Sequence, residues 1–297
     1  MECERSLIIG QWKFVKELSC IQCGWLHLGD LHLSESVLWL TVDSDDIRHR
    51  PRFFGHPTRS RHTPPPESNA ATPSPDLLKG MQGFTTWIKG KRDCPITLFI
   101  IGEQLLDDFF CNWVVELLDI SKNITVGCHG WDHRSWSAWP KDRDSFTTNV
   151  IRAKKLIMSV VGDAWRPWFR APAGYIAPWM AVVLKEQGFV LDTSINPSFL
   201  VRNKFGPQKN WKLVENAMCE NDIIERPWLN SWLGPACGPA LHIPGLAGVS
   251  RRLWLKKSSL SHATEKQLLA QKTNVITLYW HLTDHARNNG KWTPPVK

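Results

Sequence analysis

The sequence predicts an α/β fold of parallel strands with helical crossovers, a barrel or a sheet. Three observations predict it. Short apolar runs alternate with helix-length stretches from residue 76 onward. The joints between them are short, as parallel strands with helical crossovers require. Conspicuous polar residues fall just after apolar runs, and in parallel α/β folds those strand ends open onto one face, where sites are built.

Taken in order, residues 1–35 have little periodicity and read as an N-terminal extension; residues 36–297 read as a single domain. Val37–Val42 is an apolar run ending at Asp43, expected as a buried strand. Residues 48–75 hold Pro51, Pro57, Pro64, Pro65, Pro66, Pro73 and Pro75, a long loop that follows the first strand and is expected to cover the site as a lid. A helix over 76–91 precedes a strand at Ile96–Ile101, and one over 103–119 precedes Ile124–Cys128. A third helix over 142–161 leads to Trp168–Arg170, and a fourth over 177–187 leads to Phe189–Leu191. Ile223–Ile224 and Val275–Trp280 read as the last strands.

Composition excludes some classes. No run reaches the roughly 18 apolar residues of a membrane span, and charged residues interrupt any leader-like apolar stretch at the N-terminus, so a cytoplasmic protein is expected. The net charge of +8 reads as a solvated basic surface, with a phosphate-bearing or acidic partner as the sharper alternative. No dense Lys/Arg tract or nucleic-acid motif supports nucleic-acid binding. Eight cysteines without a regular framework are expected as reduced, mostly buried thiols, and Cys20-x-x-Cys23 lacks the second pair of a zinc knuckle.

Four motifs carry chemistry. His129-Gly-Trp-Asp-His133 spaces two imidazoles four apart, as on one face of a helical turn that binds one metal, and Gly127 and Gly130 suggest a tight turn there. Alone, the pattern also fits histidines that merely satisfy polar groups of a core. Asp43-Ser-Asp45-Asp46 crowds three carboxylates past a strand, a conflict that a divalent cation resolves. Alone, it also fits a solvated loop. Phe169-Arg170-Ala-Pro172-Ala173-Gly174-Tyr175 places an arginine at a strand end, suited to hold a carboxylate, before a rigid turn whose N–H groups can stabilise an oxyanion. His281 ends the last strand.

Together these motifs resemble the polysaccharide deacetylase family (carbohydrate esterase family four, the chitooligosaccharide deacetylase homology domain). The resemblance runs from Val37 to His281 and includes Thr97–Gly102 and Leu191-Asp192-Thr-Ser194. It implies a distorted (β/α) barrel of about seven parallel strands and a metal-dependent deacetylase that removes the N-acetyl or O-acetyl group of a carbohydrate or other small acylated substrate. It implies Asp43 as general base, and Asp45, His129 and His133 as ligands to a divalent metal, zinc above others. Arg170 would hold Asp43, the Ala173 N–H would bind the oxyanion, His281 would be the general acid, and Trp280 would wall the acetyl pocket. The first motif departs from the family's usual paired aspartates and Gly-Pro, which leaves Asp46 a rival to Asp45. No aspartate matches the one that orients the acid histidine, and Glu225 is the candidate substitute. Two other readings are a hydrolase of a non-sugar, non-peptide C–N bond, of allantoinase or imidase type, and an inactive carbohydrate-binding relative.

Overall fold

The computed structural model describes residues 36–64 and 72–297; the N-terminal extension, the Cys20/Cys23 pair and residues 65–71 of the Pro-rich segment lie outside them. Its centre is a seven-stranded, wholly parallel sheet ordered β6-β5-β4-β3-β2-β1-β9. The strands are β1 Val37–Asp43, β2 Ile96–Ile100, β3 Ile124–Cys128, β4 Trp165–Phe169, β5 Leu191–Asp192, β6 Ile224–Glu225 and, at the end of the chain, β9 Val275–His281. A two-stranded hairpin, β7 Asn230–Ser231 and β8 Gly234–Pro235, intervenes. Just beyond β6, Trp228 bridges Thr277 of β9, so the curled sheet nearly closes on itself.

Strand alternation sorts the side chains into two layers. Leu38, Leu40 and Val42 of β1, with Leu98 and Ile100 of β2 and Leu278 and Trp280 of β9, face the helices and join the main core. Val37 and Trp39, with Phe99, Trp168 and Leu191, form a separate cluster on the inner face. Each fully buried large apolar side chain in these layers contributes roughly 1.5–3 kcal/mol. Further along β1, the same inner face presents Thr41 and Asp43, which both bond to Arg170. The inside of the barrel is thus apolar at the base and polar at the top.

Helices fill the crossovers: α1 Pro75–Lys89, α2 Asp108–Ile120, α3 Arg143–Val161, α4 Met180–Glu186, α5 Trp211–Glu220 and α6 Ala247–Lys257. In α1, Leu77, Met81, Phe84 and Ile88 recur at helical spacing and are all buried, Pro75 opens the first turn, and the Ser74 hydroxyl caps the Leu77 N–H at 3.2 Å. The second helix starts later than its sequence suggests, because Asp107 caps the Phe110 N–H at 2.9 Å and residues 102–106 form a separate 3₁₀ turn. The Gly102 and Glu103 N–H groups in that turn bond instead to the carbonyls of Gly130 and Trp131. Helices α5 and α6 and the hairpin are additional to the elements read from sequence. Among the described cysteines, Cys94, Cys111, Cys128 and Cys237 are free thiols, with Cys128 and Cys237 buried. Cys219 is disulfide-bonded, contrary to the expectation of wholly reduced thiols. Among the described residues, no helix is long and apolar enough to cross a membrane.

Candidate active site

Parallel pairing sets Asp43 directly beside His281, the last residues of β1 and β9. The backbone then leaves the sheet, and Asp45 points between two imidazoles. Its Oδ1 lies 3.1 Å from His129 Nε2 and its Oδ2 2.9 Å from His133 Nε2. One donor atom from each of the three residues lies within 4.8 Å of the others. Both histidines are 1% exposed.

The donor set fits a divalent cation. Asp45 Oδ1, His129 Nε2 and both ring nitrogens of His133 are buried without a hydrogen-bond partner, an expensive arrangement unless something else satisfies them. The His129 Nδ1–H donates to the Arg170 carbonyl at 2.8 Å, which leaves the Nε2 lone pair aimed at Asp45. Two imidazole nitrogens and a carboxylate oxygen suit zinc. The local field is negative: burial depresses the His129 imidazole, but Asp43 and Asp45 outweigh it and raise it above its ordinary value. Burial likewise raises the Asp45 carboxyl, but His133 and His129 pull it well below the usual carboxylate range.

The two histidines are not on a helical turn, as their spacing suggested. Residues 129–135 are irregular, Gly130 takes φ +78° and His133 itself takes φ +58°. That left-handed kink is strained for a residue with a side chain, and the segment following β1 supports it. The Gly55 carbonyl accepts from the Ser135 N–H at 2.9 Å and the Trp139 indole at 2.8 Å. Gly127 lies inside β3, not in the turn, and a Cβ there would stand 2.5 Å from the Phe99 ring.

Arg170 is fully buried at the centre of the inner face. Its guanidinium donates to Asp43 Oδ1 at 2.5 Å, the Thr41 hydroxyl at 2.8 Å and the Thr193 carbonyl at 3.1 Å. It also lies 4.3 Å from the Phe99 ring centre. Three bonds to fixed acceptors hold the guanidinium, and through it Asp43, in one orientation. Ala173 sits in the turn beyond β4 at φ +50° and lines the cavity.

Asp46 is committed elsewhere. Its Oδ2 accepts from the Ser74 N–H at 2.8 Å, and its Oδ1 accepts from the Ile47 N–H at 2.6 Å and from the Ser74 hydroxyl. It fastens the two ends of the Pro-rich segment together. Glu225 is also diverted. It pairs across the sheet with Asp192, and burial, with the Asp192 charge beside it, holds its carboxyl well above the usual range. Trp280 faces outward and is fully buried; its indole donates to His285 at 2.9 Å and its ring packs on Trp87 and Trp254. The alternation of β9 puts Tyr279 and His281 on the cavity instead.

Two residues escaped sequence reasoning. Asp284, three residues past His281, accepts the His281 N–H at 3.1 Å, and its Oδ2 lies 3.7 Å from His281 Nδ1. The His-x-x-Asp spacing, a capping box at the end of β9, was the available signal. His242 lies 2.9 Å from Asp284 Oδ1 and had no signal at all. Burial depresses the His281 imidazole, yet the Asp284 bond and the charges of Asp45, Asp284 and Asp43 prevail and hold it at about 9. Asp45, His133, Ala173, His242, His281 and Asp284 line a cavity of about 660 Å³. The described part of the Pro-rich segment contributes Arg50, Pro51 and Arg59 to its wall.

Residues 89–191 match the polysaccharide deacetylase family model. This stretch holds the His129/His133 and Arg170 motifs but neither Asp43 and Asp45 nor His281. A candidate polysaccharide deacetylase from Mycobacterium smegmatis superposes with a TM-score of 0.53 at 14% identity, covering 89% of this chain and 82% of that one. The fold is the polysaccharide-deacetylase fold. A carbohydrate esterase family four esterase from Streptococcus mutans covers 84% of this chain and 74% of its own at 11% identity, with a TM-score of 0.39, too low to add to the argument. No curated protein matches the chain in sequence. The deacetylase-like sequence pattern covers the middle of the chain, and the sheet delivers residues from both outer segments to it.

Proposed function

We propose that the protein is a metal-dependent deacetylase that hydrolyses the N-acetyl or O-acetyl group of a carbohydrate. The observation that carries the reading is the Asp45 carboxylate set between His129 Nε2 and His133 Nε2, with buried donor atoms that nothing else satisfies. Asp45, His129 and His133 would hold the metal, most suitably zinc, and the ion would supply Lewis-acid polarisation of the acyl carbonyl and of the attacking water. Asp43, fixed through Oδ1 by Arg170, keeps Oδ2 to take the proton from that water. The Ala173 N–H stabilises the oxyanion as it develops. His281, held protonated beside Asp284, delivers its proton from Nε2 to the leaving nitrogen or oxygen. An amine leaves poorly without that proton, so loss of the acid hurts amides more than esters.

Replacement of His129 by Ala tests the assignment. The purified variant, assayed for metal content and for acetate release from N-acetylglucosamine oligomers, should lose both together. Wild-type hydrolysis by His129→Ala would refute it.

A further inference from the structure

The cavity wall carries four lysine and arginine side chains, Arg50, Arg59, Lys204 and Arg287, and of these only Arg287 meets a carboxylate, Asp284 at 3.3 Å. Among the described residues, no carboxylate stands within ion-pairing distance of Arg50, Arg59 or Lys204. The carboxylates of the wall are mostly engaged: Asp45 between the histidines, Asp46 on Ser74 and Ile47, and Asp284 on His242 and Arg287. Asp76, in the first turn of α1, is the exception.

Arg59 and Lys204 come from distant parts of the chain and converge on the same turn. Arg59 Nη1 donates to the Tyr175 hydroxyl at 3.1 Å. Lys204 Nζ donates to the Ala173 carbonyl at 2.7 Å and lies 5.5 Å from the Tyr175 ring centre. The arginine is carried on a segment that His56 pins, its ring packed edge-to-face with Tyr175, the ring centres 5.1 Å apart. Lys204 is half-buried, and burial first, then the charge of Arg59, pushes its ammonium down to about 8. Two like charges held beside one turn with no counter-anion repel, and an anion received between them removes the conflict.

We propose that the cleft takes an acylated substrate that also bears an anionic group, a phosphate or a carboxylate, received by Arg59 and Lys204 beside the Ala173–Tyr175 turn. The acyl part of this inference rests on the deacetylase reading; the anion part rests on the cations alone. Calorimetric affinity and kcat/KM for N-acetylglucosamine, N-acetylglucosamine 6-phosphate and N-acetylmuramic acid test it. At least one anionic sugar should bind about ten-fold more tightly than the neutral one, with the margin shrinking as ionic strength rises; which one it is tells phosphate from carboxylate. Arg59→Met should cut that preference about five-fold, and Arg59→Lys should keep most of it. Equal affinity for all three sugars, or an unchanged preference in a folded Arg59→Met protein, overturns the inference. If an anionic sugar binds through Arg59 and is never hydrolysed, the inference stands and the deacetylase reading falls. If all three are hydrolysed with equal kcat/KM, the reverse holds.

Discussion

Arg170 supports both the inner face of the barrel and the proposed base, so its removal has a calculable cost. Arg170→Met keeps the length of the apolar stem but deletes the bonds to Asp43, Thr41 and Thr193. The Asp43 carboxylate, 3% exposed, then has no cation. Stranding one member of a buried ion pair costs roughly 3–5 kcal/mol. With an unfolding entropy of roughly 2.1 cal/mol/K per residue over 297 residues, the thermal midpoint should fall by about 5–8 °C. Adding Asp43→Leu removes the stranded charge and should recover most of the loss, while activity stays abolished because the base is gone. Thermal unfolding by circular dichroism on the two variants and the wild type measures both effects. A drop of less than about 2 °C for Arg170→Met, or a double variant as unstable as the single one, would show that Arg170 does not carry Asp43 in the way described.

Asp45→Ala should abolish metal binding measured by plasma emission. Asp46→Ala should leave metal content intact while costing about 1–3 kcal/mol in urea unfolding, since it frees the Ser74 and Ile47 donors. In Asp284→Asn, His281 loses the bond and charge that hold it at about 9, so the proton is released at lower pH. The alkaline limb of kcat/KM should therefore move to lower pH, and an unmoved limb would remove Asp284 from its positioning role. The Glu225 carboxyl is raised by burial and by Asp192, so its protonated form is favoured in the fold. The associated stability is present below the unfolded carboxylate pKa and is lost as pH rises through the folded value. Glu225→Gln should then unfold like the wild type in acid but be more stable than it in alkali, read from denaturant midpoints at both pH extremes. Gly127→Ala, whose added Cβ would lie 2.5 Å from Phe99, should cost about 1–3 kcal/mol.

The parallel sheet was legible because buried strands are continuous apolar runs, and the strand ends marked the site because parallel strands align them. The crowding of carboxylates and the pairing of imidazoles each pointed to a cation, and the family resemblance joined Asp45, His129 and His133 into one set. Asp46 and Asp45 could not be separated, because the choice depends on Ser74, which lies across a long loop with no periodicity. The family resemblance put Trp280 on the acetyl pocket, and the run Leu278-Tyr-Trp-His281, apolar on both faces, could not correct it, because only the partner strands decide which face turns inward.

The order of residues by itself determined the strands, the parallel class and the chemical types gathered at the strand ends, since hydrophobic periodicity and local turn chemistry act over a few residues. Only the tertiary structure decided which oxygen of which aspartate meets the histidines, that Asp284 and His242 support His281, and that Arg59 and Lys204 share a wall without a carboxylate between them. Those outcomes depend on barrel curvature and strand register, which bring residues as distant in sequence as Asp45 and His133, or Arg59 and Tyr175, within a few ångströms.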